Sequence, residues 1–198
     1  MGSKGVSAYY YLVAQLPSLS FGVPAGIDIP SFLDLCGSFL SEKDRALLPL
    51  LALSPEGNIT GALGSGYEQE IKPCGSPVID GWRRWERALR LHLGQGRYQR
   101  LKRETPRLAD PPVDPLDAAR VARSALTISD PLEAETFLDR ERWAVIDCLM
   151  GFDYFGRDSV FAYYLKLQIL ERRSLFTRER GLEAFSSVYA SIVEAAKL

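Results

Sequence analysis

Histidine is the scarcest reactive residue in this chain: His92 stands alone, beside three cysteines, Cys36, Cys74 and Cys148. A Ser-His-Asp or Cys-His arrangement needs a histidine as its base. His92 lies between Leu91 and Leu93 in a helical pattern, the place of a partly buried or surface side chain. Catalytic zinc draws on several converging His, Cys and carboxylate ligands, which this composition does not supply, so no metal is assigned. The cysteines are odd in number, far apart and never C-x-x-C, which suggests no disulfide framework and points to a reducing, cytoplasmic setting.

Long apolar runs are missing too. The longest candidate, Ala46–Leu53, is broken by Pro49, far short of the roughly 18 to 20 residues that cross a bilayer. The opening MGSKGVSAYYYL lacks the apolar core and small-residue cleavage pattern of an export signal, so a retained chain is expected. A net charge of −1 with 46% apolar and 25% charged residues is ordinary for a globular protein and gives no general affinity for nucleic acid or acidic membranes. The glycines of Gly61–Gly66 run G-x-x-G-x-G without a preceding strand or a following helix, and there is no G-K-S or G-K-T loop. They read as a flexible loop, and no cofactor is expected. Glu133 with Glu135, and Asp139 with Glu141, read as solvated charge beside arginines.

What is present is helical patterning. Tyr9–Leu16 is too short for periodicity to decide between strand and helix. Asp28 before Pro30 opens a helix over Ser31–Leu40, with Phe32, Leu35, Cys36 and Phe39 as its buried stripe. Ser41 and Asp44 resemble a capping box for a second helix through Leu53, which Pro49 bends or shortens. Glycines and prolines make 54–77 a long loop. Val78–Leu93 is helical through Trp82, Trp85, Leu89 and Leu93, with Gly94 and Gly96 as its stop, and a basic piece Arg97–Glu104 follows. Asp114 with Pro115 opens a helix to about Ile128, and Asp130 with Pro131 opens another that Gly151 ends. Within it Phe137, Leu138, Val145, Ile146, Leu149 and Met150 recur at helical intervals around a solvated turn, Asp139–Arg142. Asp158 can cap a helix to Phe176 whose apolar surface is too wide for one face and requires neighbours. A last helix is expected over about Arg178–Ala196.

The expected fold is all-α, an antiparallel multi-helix bundle with a long Gly/Pro-rich loop. Its parts are an N-terminal half 1–105, a Pro-rich connector 106–115 and a C-terminal half 116–198, which can equally form one domain.

The segment Gly81–Arg103 is strongly cationic, with only Glu86 opposing its Arg and Lys residues. Arg83, Arg87 and Arg90 share one helix face, and Trp82, Trp85 and Leu89 an adjacent one. Three readings are open. The tryptophans are core and the arginines pair within the fold; or Trp82, Arg83, Arg84, Trp85, Arg87 and Arg90 form a protein-docking surface, for which these residue types are suited; or the segment binds nucleic acid, against which stand the overall charge and the absence of a known binding motif.

YYYLVAQLPSLSFG with PSFLDLC at one end, and FAYYLKLQILERRSLFTRERG at the other, resemble an uncharacterised family encoded within bacterial V/A-type ATPase operons. The first pattern is an aromatic run, then L-P-x-L-x-F, then a capped helix with F-L-x-x-C, here Tyr9–Tyr11, Leu16–Phe21 and Phe32–Cys36. The second is A-Y-x-L-K-L-x-x-L-E-R, here Ala162–Arg172. This second segment also looks like the terminal Y-x-x-K-x-x-E helix of the rotary-ATPase protein known as C in bacteria and d in eukaryotes, although Lys166 and Glu171 stand further apart than is common there and the chain is shorter than that three-part helical body. The resemblance implies a non-catalytic soluble subunit between the ATP-hydrolysing head and the membrane rotor, cytoplasmic and held at the inner membrane only through its complex. Its partners would be other ATPase subunits, with no nucleic acid and no direct membrane insertion, and the Trp/Arg set would face an acidic stalk or ring loop. The alternative is a free-standing helical adaptor that binds an acidic protein or nucleic acid through the same helix.

Overall fold

Caps written in the sequence open the helices where local chemistry allows. The computed structural model describes residues 4–53, 73–102 and 115–175; among them the protein is all-α, with seven α-helices, two 3-10 turns and no strand. Helix α1 (Lys4–Gln15) settles the Tyr-rich stretch as helical. In α2 (Ile29–Phe39) the Asp28 carboxylate accepts from Ser31 N and Pro30 occupies the first turn, satisfying amides that have no partner inside the helix. Phe32 and Cys36 are buried, with Leu35 and Phe39 packed beside them.

Ser41 accepts from Asp44 N and donates its hydroxyl hydrogen to the Asp44 carboxylate, so the capping box exists. The helix it opens, α3 (Glu42–Arg45), ends after four residues, and a 3-10 turn at Leu48–Leu50 replaces the expected continuation to Leu53. Pro49 has no amide hydrogen to extend an α-helix, and the buried Leu48, Leu51 and Leu53 dictate a path over the core.

Helix α4 (Pro77–Arg100) starts at a Ser76 cap that accepts from Ile79 N. Its 24 residues run about 36 Å, straight through the two glycines expected to stop it. Gly94 faces open space, whereas a Cβ on Gly96 would collide with Leu126 of α5 (Ala118–Thr127). Gly96 thus serves close approach of two helices and not termination. Beyond α4, Lys102 adopts a left-handed conformation (φ 52°).

Helix α5 begins later than its proline suggested. Pro115–Asp117 is a 3-10 turn, and Leu116 and Asp117 are left-handed (φ 50° and 55°), with no side-chain cap. By contrast α6 (Pro131–Met150) follows its sequence: Asp130 accepts from Leu132 N, and Gly151 (φ 61°) closes it. Helix α7 (Arg157–Leu175) begins before Asp158, whose carboxylate accepts from Ser76 Oγ instead of capping its own helix. Of the loop expected over 54–77, residues 73–76 lead into α4, whose first residue is Pro77, and the last residue of the expected connector, Pro115, opens a 3-10 turn; the rest of both, the G-x-x-G-x-G run and the last helix fall on 54–72, 103–114 and 176–198, outside the described residues.

One core spans both sequence halves. Helix α4 packs on α5, α6 and α7, while α7 touches α1, α2, α4 and α6. Its wide apolar surface is accounted for: Val160, Phe161, Leu165, Leu167, Ile169 and Leu170 are all buried.

Candidate interaction surface

The six residues expected to form a docking face separate in space. Trp82 and Trp85, with rings 5.8 Å apart, are 1% and 0% exposed, because α4 is flanked by three helices and its Val78, Ile79, Trp82, Trp85 and Leu89 stripe is the middle of the core. They are core residues, and the expectation that they front a partner is corrected. Arg90 donates to Glu86 on its own helix and to the Leu53 carbonyl, and Arg84 Nε donates to Asp80 O one turn back. Arg84 is exposed, and Arg83 and Arg87 are half-buried.

Asp139 and Arg142, expected to be a solvated turn, are 1% and 5% exposed. Arg142 donates through Nε and Nη2 to the two Glu86 oxygens, each at 3.2 Å, and through Nη1 to Asp139 at 3.1 Å. Arg172 of α7 donates to the same Asp139, and Arg173 lies 3.9 Å from it. Burial by itself would lower the Arg142 pKa; Glu86 and Asp139 outweigh it and hold the guanidinium above its ordinary value. This layer joins α4, α6 and α7 through bidentate geometry that a lysine could not reproduce.

The motif residues of α7 bind the N-terminal segments by their backbones. Tyr163 donates to Pro17 O, Gln168 donates to Leu51 O and accepts from Leu53 N, and Glu171 accepts from Ile29 N at the start of α2. Lys166 pairs with Asp147 and lies 4.8 Å over the Trp143 ring. Near the other end of α7, Arg157 pairs with Asp44, which also accepts from Tyr9. Burial works against the Asp44 charge, but hydrogen bonds from Ser41 and Tyr9 and the Arg157 charge prevail and hold its pKa below the usual range. Burial pushes the Tyr163 hydroxyl up to about 12.

A surface that sequence patterning does not single out lies where the α6–α7 connection meets α1. Phe152 is 94% exposed, and Tyr154, Phe155, Tyr10 and Tyr11 are each about half exposed or more. Tyr10 packs on Phe155 with ring centroids 5.0 Å apart and on Tyr11 at 6.0 Å. Beside them Tyr154 borders a groove of about 220 Å³ lined also by Val13, Leu16, Leu19, Met150 and Tyr163. The available signal was F-D-Y-F directly after the helix-ending Gly151, in a connection too short to reach the core.

Among the described residues no group of three or more His, Cys, Asp or Glu side chains is placed to hold a metal ion, and no helix is long and apolar enough to cross a membrane. No curated protein and no solved structure matches the chain. Residues 122–195, which include most of α5 and all of α6 and α7, match a family described as Protein of unknown function (DUF2764).

Proposed function

We propose that this chain is a non-catalytic component of a bacterial V/A-type ATPase, an adapter of the C/d type that couples the ATPase head or central stalk to the membrane rotor. The observation that carries the adapter role is the exposed aromatic end at Tyr10, Tyr11, Phe152, Tyr154 and Phe155, set on a body cross-linked by the Glu86–Arg142–Asp139 layer. Exposed apolar surface costs free energy in an isolated protein and is characteristic of docking sites. A close-packed body of low compressibility passes force from one contact to another. The assignment to the ATPase rests on the resemblance of Tyr9–Cys36 and Ala162–Arg172 to the operon-encoded family; in the fold these two segments meet, through Tyr163 on Pro17 and Glu171 on Ile29. Burial of Trp82 and Trp85 weakens the alternative of a free-standing adaptor working through the Trp/Arg helix.

Affinity purification from membranes of the native host tests the assignment. ATPase head or stalk proteins should co-purify and be released by treatments that strip peripheral proteins. Recovery only as a free chain, with the ATPase intact in the same extract, overturns it.

A further inference from the structure

We infer that the aromatic end docks a protein segment that is apolar on one side and carries an arginine or lysine, with Asp153 as the counter-charge. This rests on the adapter reading and names the chemistry of the adapter's partner. Tyr10, Tyr11, Phe152, Tyr154 and Phe155 expose about three aromatic side chains' worth of surface, on the order of 600 Å² at the area such residues bury. That equals the largest apolar patch of a typical monomer and, with the groove beside it, approaches the roughly 800 Å² that one partner contributes to a standard interface.

Charge decides the occupant. Among the described residues Lys166 pairs with Asp147 and Arg157 with Asp44, while Asp158 accepts from the Ser76 hydroxyl. Asp153 differs. It is exposed, sits between Phe152 and Tyr154, and makes no ion pair among the described residues; its carboxylate accepts from Phe155 N at 3.4 Å. A carboxylate with no ion pair among the described residues, on a connection that exposes Phe152, Tyr154 and Phe155, matches a cation, which gains from both the carboxylate and the π faces. An anionic membrane surface would repel it. A second copy related by two-fold symmetry about this patch would bring two Asp153 carboxylates, and no added cation, into one interface.

The test uses the full-length chain and two synthetic 18-residue helical peptides, each with a leucine face, one flanked by arginines and the other by glutamates. By fluorescence anisotropy the arginine peptide should bind at least tenfold more tightly. Asp153→Asn, which keeps an acceptor for Phe155 N, should remove that preference. Phe152→Ser with Phe155→Ser should weaken binding about tenfold at unchanged helicity. Equal affinity for both peptides, or a preference that survives Asp153→Asn, overturns the inference. So does a wild-type dimer in ultracentrifugation that the double serine variant dissolves, or binding to phosphatidylcholine–phosphatidylglycerol vesicles that the arginine peptide fails to displace. If ATPase proteins retain the double serine variant as well as wild type, this inference fails and the ATPase assignment stands. If the peptide preference holds while no ATPase protein co-purifies, the assignment fails and the docking chemistry stands.

Discussion

Replacing Arg142 by methionine would remove the cation that bridges Glu86 and Asp139 in the interior while keeping an unbranched apolar stem in its place. Three charge-assisted hydrogen bonds, at 3.2, 3.2 and 3.1 Å, would be lost. The larger cost is what stays behind. Asp139 keeps Arg172, but among the described residues Glu86 keeps only the half-buried Arg90, so a nearly buried carboxylate is left under-compensated. Breaking a buried pair from one side costs about 3–5 kcal/mol, which for a chain of this size lowers Tm by about 10 °C. Pairing the change with Glu86→Leu removes the stranded charge and should recover at least about 2 kcal/mol, because apolar replacement of both partners is often close to neutral. Urea unfolding followed by tryptophan fluorescence reports on this directly, since Trp82 and Trp85 lie on the helix that carries Glu86. A single variant within about 1 kcal/mol of wild type, or a double variant no more stable than the single, would refute the reasoning; such a result would mean that the layer is solvated in solution.

Gly94→Ala should raise Tm by a few degrees, since Gly94 is inside a helix with open space at its Cβ and glycine costs about 0.5–1 kcal/mol there. Gly96→Ala should gain nothing or lose, because the added methyl meets Leu126; equal stabilisation of both variants in thermal scans would show that the α4–α5 approach is looser. For Asp44, whose folded pKa is depressed, the stabilising contribution is complete above the unfolded value near 3.9 and disappears as pH falls through the folded value. Arg157→Gln should therefore lower stability at pH 7 but much less at pH 2, and a pH-independent difference would exclude the pair as its cause. Tyr163, raised to about 12 by burial, stabilises fully below pH 10 and ceases to do so as pH rises through about 12; absorbance titration should show a late-ionising tyrosine class, to which Tyr9 and Tyr164 also contribute, that Tyr163→Phe reduces by one group. In the native chain the exposed Cys148 should react rapidly with a thiol reagent, while the buried Cys36, its pKa pushed up to about 12, should react only on unfolding; simultaneous modification would contradict the packing of α2.

Much of the helical layout is legible in local chemistry because caps act over three or four residues. Asp28 with Pro30, Ser41 with Asp44, and Asp130 with Pro131 each mark a helix start that the structure retains. The wide apolar surface of Asp158–Leu175 likewise announces a helix with several neighbours, and α7 has four. Local rules fail where a distant partner outbids them. Gly94 and Gly96 look like a stop until α5 arrives at Gly96, and Asp158 looks like a cap until Ser76 takes its carboxylate.

The candidate site shows the same division more sharply. Residue type alone suggested Trp82, Trp85 and the arginines as a surface, because a helical pattern shows which residues share a face but not which face is covered. Only the packing of α5, α6 and α7 around α4 decided that the tryptophans are interior. Asp139–Arg142 looked solvated because charge next to charge on one helix is usually so; Glu86, 56 residues from Arg142 along the chain, makes burial possible by supplying the missing counter-charge. Sequence determined the helical character, the caps at Asp28, Ser41 and Asp130, and the scarcity of histidine. Tertiary structure decided which charges and rings meet water, since exposure is a property of neighbours brought from far along the chain and not of the residue itself.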